Sequence, residues 1–292
     1  MLIKEVFWSR SMNFRWLGGL KSRVWSRPNF LRLPPLHQMV IFFSSIKPEM
    51  KDNNESDAGT QTGDPGASRH GNFINYYKFH PASERICQLP QGLWLSPDGK
   101  YTGLDVGCNA GELTIQLRKF LQDNLTVNTD ISLLGIDLDP ILIERARENN
   151  TYPQSITFEC LDFVLSQNRD DIIETYLKKF QKNKFDVIFC FSVTMWIHLN
   201  HGDEGLVKFL EDICSYTQML VIEPQTWKCY RNASRRLRRS GEQDFKLINS
   251  LKLTGDMDKH IVDICTKKCN LQRIAISEDN TWGRKILIFK RN

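Results

Sequence analysis

The chain has no CxxC cysteine pair and no apolar run long enough to span a bilayer, and its first 48 residues hold a single acidic side chain, Glu5. Its eight cysteines, Cys87, Cys108, Cys160, Cys190, Cys214, Cys229, Cys265 and Cys269, are too sparse in 292 residues for a disulfide scaffold or a zinc ribbon. A reducing compartment and no structural metal are therefore expected. The longest early apolar stretch, 33–46, is interrupted by Pro34, Pro35 and His37. It falls short of the roughly 18–20 residues a bilayer span needs, so a soluble chain with no membrane partner is expected. A secretory leader is not expected either, because the apolar run 39–43 is short and lies too deep.

Charge of both signs is plentiful: 39 Lys and Arg stand against 34 Asp and Glu, a net +5. Its placement matters more than its size. Residues 1–70 carry ten basic and six acidic side chains, whereas residues 71–292 carry 29 and 28. The larger part is nearly neutral, and any affinity for nucleic acid must come from local patches. Residues 1–48, with eight basic side chains and Trp8, Trp16 and Trp25, show no sustained period and read as a basic extension outside the core. Their acid-poor, Arg- and Ser-containing character suits an organelle transit peptide, a disordered basic arm or a misassigned start. The expected location is cytoplasmic, with nucleus and mitochondrion as alternatives. Residues 49–70 hold almost no apolar side chains and read as a disordered linker, which leaves 71–292 as the folded domain.

From residue 71 onward, short apolar runs alternate with helical patterns. Strands are expected at 101–107, 132–137, 156–161, 185–193 and 218–223, with helices at 112–121, 140–148, 171–180 and 204–214. Such alternation requires a mostly parallel central sheet with helices on both faces, an α/β fold. The runs 271–277 and 285–289 can close its edge.

In a sheet of this kind, ligands sit beyond the carboxyl ends of the strands. The turn after the first strand reads GLDVGCNAGEL, and its Gly107 and Gly111 allow close backbone approach before a helix opens near Ala110. Asp137 ends the second strand, where a carboxylate can accept both hydroxyls of a ribose, while Asp139 is placed to cap the helix that opens at Pro140. Asp162 and Phe163 follow the third strand, an acid for an adenine amine and a ring to pack on it. Glycine turn, ribose acid and adenine acid at three successive strand ends describe a nucleoside ligand without a phosphate clamp. S-adenosylmethionine fits this set best, in a class I, Rossmann-like methyltransferase fold.

Four segments then carry a resemblance: GNFINYYKFHPASERI (71–86), LDVGCNAGEL, FSVTMWIHLNHGDEGL (191–206) and EPQTWKCY (223–230). Together they resemble the Bicoid-interacting-3-type RNA methyltransferase domain family over about 71–289, and within it the RNA 5′-monophosphate methyltransferases. The resemblance implies cofactor contacts at Tyr77 and Arg85, the latter with the cofactor's carboxylate, and at Gly107, Cys108 and Asn109 of the glycine loop. It also implies contacts at Asp137 and Leu138 along the ribose, at Asp162 and Phe163 around the adenine, and at Phe191. The implied substrate is a small RNA with a 5′-phosphate, such as histidine transfer RNA or a microRNA precursor. Methyl capping of a small nuclear RNA γ-phosphate and a non-catalytic, cofactor-dependent binding module are the alternatives.

A terminal phosphate monoester has a second pKa near ~6, so it carries its own nucleophilic oxygen at neutral pH and needs orientation more than a strong base. Candidates for that task are His198, Asn200, Tyr76 and Lys228, with Trp227 and Tyr230 at the RNA end. His198 lies on an apolar stretch, where a satisfied core histidine is the competing reading. Arg231, Arg235, Arg238 and Arg239 fall on one helical face and form a cationic stripe, within which Arg231, Arg235 and Arg239 are the expected backbone contacts.

Overall fold

The computed structural model describes residues 66–291. The basic extension 1–48 and the linker up to residue 65 lie outside the described residues. Five strands follow one another in parallel: β1 (Lys100–Val106), β2 (Asp130–Asp137), β3 (Ile156–Cys160), β4 (Phe185–Phe191) and β5 (Thr217–Glu223). β6 (Leu271–Ile276) and β7 (Leu287–Arg291) complete the sheet in the order β3-β2-β1-β4-β5-β7-β6, with β7 antiparallel to both neighbours. This is the class I methyltransferase sheet expected from the sequence. The winding reverses between β1 and β4, so a crevice opens beyond Val106 and Phe191.

The central strands are almost wholly buried because they are continuous apolar runs covered on both faces. Two core clusters lie on opposite sides of them. The connecting helices are α3 (Glu112–Asn124), α4 (Pro140–Glu148), α5 (Arg169–Lys179) and α6 (Thr194–Ser215). Asp139 caps α4 as expected, accepting from the backbone N–H of Ile141 at 2.9 Å, with Pro140 as the first helical residue. Ahead of the sheet stand α1 (Tyr76–Phe79) and α2 (Ala82–Gln88); α7 (Trp227–Arg239) and α8 (Met257–Lys267) follow β5.

Three expectations change. α3 opens at Glu112, with Gly111 left-handed before it. α6 begins ten residues earlier than expected and breaks at Gly202 (φ 71), so His198 and Asn200 sit on a helix. The end of the expected linker belongs to the domain. Ser68 Oγ accepts from the N–H of Gly71 at 2.8 Å, and the Arg69 carbonyl accepts from Asn200 at 2.8 Å. Gly71 makes this strap possible, since at φ 79 a Cβ there would meet the Trp196 ring at 2.1 Å.

Candidate active site

Two cavities meet at the carboxyl end of the sheet. The first lies over β1, β2 and β4, and Gly107, Asn109, Asp137, Leu138, Asp162 and Phe191 are in its wall. Its described lining includes the carboxylates Asp137 and Asp162 and no Lys or Arg. Gly107 (φ 77) sits where a Cβ would strike Val193 at 2.5 Å, so backbone alone forms the turn. Asn109, left-handed at φ 52, donates its N–H to Asp137 Oδ2 at 2.9 Å and its side-chain amide to the Phe73 carbonyl at 3.0 Å. Asp137 Oδ1 accepts from the N–H of Asp139 at 3.0 Å. Burial pushes the Asp137 carboxyl up, and those two N–H groups oppose the rise. A wall with carboxylates, apolar side chains and no Lys or Arg suits a cationic sulfonium nucleoside. These residues fit S-adenosylmethionine.

The second cavity is framed by α1, α7 and the loop from β6 to β7. Lys228, Arg236 and Arg284 line it together with Tyr76, His80 and Trp282, and no Asp or Glu is in the described wall. The His80 ring stacks on Tyr76 at 5.0 Å and meets Trp282 edge-on at 4.8 Å. Burial, then Arg284 and Arg85, lower its pKa to about 4, so it stays neutral at physiological pH. Tyr76, Ser192 and Trp196 line both cavities.

A buried ion network backs this junction. Glu223, at the end of β5 and 0% exposed, accepts from Arg85 Nε at 2.5 Å and from Arg284 Nη1 at 3.0 Å. Ser192 Oγ donates to Glu223 at 2.8 Å and accepts from Arg85 at 3.0 Å and Arg284 at 2.6 Å. Arg85 also donates to the Tyr76 hydroxyl at 2.6 Å. Ser192 reaches this position through a left-handed backbone (φ 59) between β4 and α6, a conformation that costs about 1–3 kcal/mol and persists where its surroundings enforce it.

The structure keeps some sequence candidates together and relocates others. Tyr76 and Lys228 share the cationic cavity, while Asn200 lines the other one and gives its amide to the carbonyls of Arg69 and Trp196. Asp162 accepts from the N–H of Val164 and Leu165 while lining the first cavity. Phe163 does not face that cavity. Its ring packs edge-on against Phe209 in the core at 5.4 Å. Tyr77 and Cys108 also turn away: the Tyr77 hydroxyl reaches the Cys108 carbonyl at 3.3 Å, and the Cys108 side chain is buried. Arg85 is fully buried, and the carboxylate it holds is that of Glu223.

His198 and Tyr230 require the largest correction. Both are 0% exposed, with His198 Nε2 at 2.8 Å from Asp203 and Nδ1 at 3.1 Å from the Tyr230 hydroxyl. A ring nitrogen pair already satisfied inside the core leaves nothing for a phosphate. Trp227 packs on Tyr230 at 4.7 Å, so it is held at the start of α7. We expect His198→Ala to lower unfolding free energy by about 1–3 kcal/mol, the cost of leaving buried polar partners unpaired. Calorimetry should find its affinity for S-adenosylhomocysteine within twofold of wild type.

By contrast, Arg231, Arg235, Arg238 and Arg239 are all exposed on α7, as the helical spacing predicts. Sequence reasoning missed Ser192, His80, Trp282 and Arg284. The available signal for the last two was a Trp and an Arg, in WGR, directly ahead of the apolar run KILIF. Among the described residues no group of three His, Cys, Asp or Glu could hold a metal ion, and no helix is long and apolar enough to cross a membrane.

Comparison with known proteins adds the following. A model of the Bicoid-interacting protein 3 family matches residues 185–291, and a methyltransferase-domain model matches residues 104–213. The RNA 5′-monophosphate methyltransferase of Bos taurus is 42% identical over 239 residues, covering 78% of this chain and 82% of that protein. The Pre-miRNA 5′-monophosphate methyltransferase of Xenopus laevis is 42% identical over 239 residues, covering 78% and 94%. The RNA 5′-monophosphate methyltransferase of Homo sapiens is 42% identical over 238 residues, covering 77% and 82%.

Proposed function

Since the chain belongs to the family of RNA 5′-monophosphate methyltransferases, we propose that it methylates the 5′-terminal monophosphate of a small RNA, a microRNA precursor or histidine transfer RNA. The observation that carries this reading is the meeting of a carboxylate-lined cavity with a cationic one at Tyr76, Ser192 and Trp196. S-adenosylmethionine would supply an activated methyl group. Asp137 and the backbone of the Gly107–Asn109 turn would hold it, and Asp162 would serve as a further acceptor in the same wall.

On the substrate side, Lys228, Arg236 and Arg284 attract and orient the terminal phosphate, whose oxygen is already ionised near neutral pH. Tyr76 accepts from Arg85, which leaves its own hydroxyl hydrogen for a phosphate oxygen at the junction. Trp196 and Trp282 give the cavity apolar walls that exclude competing water. No general base is required, in keeping with a neutral His80.

The test is transfer of labelled methyl groups to one RNA prepared with a 5′ hydroxyl, monophosphate or triphosphate. Label should appear on the monophosphate alone. Label on the triphosphate would favour capping of a γ-phosphate, and label indifferent to the 5′ end would refute the assignment. The α7 stripe serves as the RNA track in this reading. Reversing charge at Arg235 and Arg239 should weaken RNA binding and reduce its salt slope by roughly 1.5–2, with cofactor affinity unchanged; a filter-binding series across salt concentrations reads both.

A further inference from the structure

The buried network behind the cationic cavity does not balance its charge. Two guanidiniums, Arg85 and Arg284, face one carboxylate, Glu223, and Ser192 and Tyr76 add only neutral hydroxyls. The surplus positive charge borders the cavity at Arg284, since Arg284 lines it and Arg85 does not. Arg284 commits Nη1 to Ser192 and Glu223 and reaches the Cys229 sulfur with Nη2 at 3.6 Å, while its Nε is buried without a partner. The side chain is 9% exposed, so water gives it little compensation. A buried charged donor of this kind is held at a cost unless an acceptor completes it. The turn that presents it is rigid: the Arg284 N–H donates to Asn280 Oδ1 at 2.8 Å, and the Asn280 N–H donates to the Arg284 carbonyl at 2.9 Å.

We propose that Arg284 is the specificity-determining residue that reads the charge of the RNA 5′ end, favouring a phosphate dianion over a singly charged phosphodiester-like end or a hydroxyl. This rests on the reading under Proposed function and deepens it. An ordinary monophosphate end carries about two negative charges at neutral pH, and methyl esterification leaves one. With the cationic side chains of Lys228 and Arg236 in the same wall, losing one charge weakens the contact more than losing shape does. The product of one transfer is thus a poorer ligand than the substrate, and the site releases it after a single methyl.

Competition binding tests this without depending on turnover. Full-length protein saturated with S-adenosylhomocysteine is titrated with one short RNA bearing a 5′ hydroxyl, a 5′-phosphate or a synthetic 5′-methylphosphate. Wild type should prefer the phosphate over the methylphosphate roughly tenfold. Arg284→Gln should bring the two within about twofold, and Arg284→Lys, which keeps the charge without the planar fork, should retain part of the preference. Equal binding of both ends by wild type overturns the proposal, as does a full preference in Arg284→Gln. Should the glutamine variant not fold, the wild-type ratio and the lysine variant still decide. If wild type discriminates between the ends yet transfers no methyl to any 5′-phosphorylated RNA, the functional reading fails and the charge-reading role stands.

Discussion

Glu223→Gln is expected to lower the unfolding temperature by roughly 10 °C. The carboxylate joins α2, the β4 end and the C-terminal loop through Arg85, Ser192 and Arg284. Taking one partner from a buried ion pair typically costs about 3–5 kcal/mol, because the remaining charge stays desolvated. Here two guanidiniums would remain. Each kcal/mol moves the midpoint of a domain this size by about 2–4 °C. Burial by itself would raise the Glu223 carboxyl, but Arg85, its hydrogen bond and Arg284 overcome that and hold it at about 2, against an ordinary 4.5.

The sign of the pH effect follows from that depression. A carboxyl depressed in the folded state contributes stability above its unfolded value, and loses that contribution as pH falls from 4.5 toward 2. The wild-type advantage over Glu223→Gln should accordingly be full at pH 7 and shrink below pH 4.5 in scanning calorimetry. Asp105 works in the opposite direction: burial, moderated by the Thr114 hydroxyl at 2.6 Å, raises it to about 6. Its contribution is present at low pH and lost as pH climbs through 6. A calorimetric gap between wild type and Glu223→Gln that stays constant from pH 7 to 3 would show that Glu223 does not act through its charge.

How much of this was legible in the sequence depends on the distance over which a signal acts. Strands β1 to β5 were each anticipated to within two residues, since a strand buried on both faces writes itself as an unbroken apolar run. The helix at 140–148 matches α4 because Asp139 and Pro140 mark its start locally. The sequence pattern assigns the front of α6, 194–203, to no element. The apolar run from β4 continues through Val193 into MWI, and the break between them is the positive φ of Ser192, which a serine does not announce. α8 was passed over although Met257, Ile261, Ile264 and Cys265 lie at helical spacing on its buried side.

The same division separates the two cavities. Acids at the ends of β2 and β3 follow from strand pattern alone, so the carboxylate-lined wall was anticipated, apart from the direction of Phe163. The cationic wall joins His80, Ser192 and Arg284, which are distant in sequence. Their proximity follows from β7 inserting antiparallel between β5 and β6, which carries the preceding turn to the end of β5. His198 shows the complementary failure. Composition cannot tell whether a histidine on an apolar stretch turns toward a cleft or toward a buried tyrosine and a neighbouring, partly exposed aspartate.

Asp137→Ala is expected to lower cofactor affinity about a hundredfold while leaving the unfolding temperature within a few degrees of wild type. Hydrogen bonds to a charged acceptor contribute about 1.5–3 kcal/mol each, and 1.4 kcal/mol is a factor of ten, so loss of the ribose contacts alone reaches that scale. Stability does not fall in proportion, because burial already works against the ionised carboxylate. A raised carboxyl contributes stability only at low pH and loses it as pH rises, so at neutral pH its charge burdens the fold. The N–H groups of Asn109 and Asp139 offset part of that burden, and removing the side chain frees both. Affinity for the cofactor should also weaken on acidification sooner than an ordinary aspartate would dictate, since the protonated form loses its charge. Calorimetric titration with S-adenosylhomocysteine at pH 7.5 and 5, on wild type and variant, separates the outcomes. If the variant binds as wild type does, the nucleoside is not held at the end of β2. If its unfolding temperature collapses, Asp137 is serving the glycine turn and not the ligand.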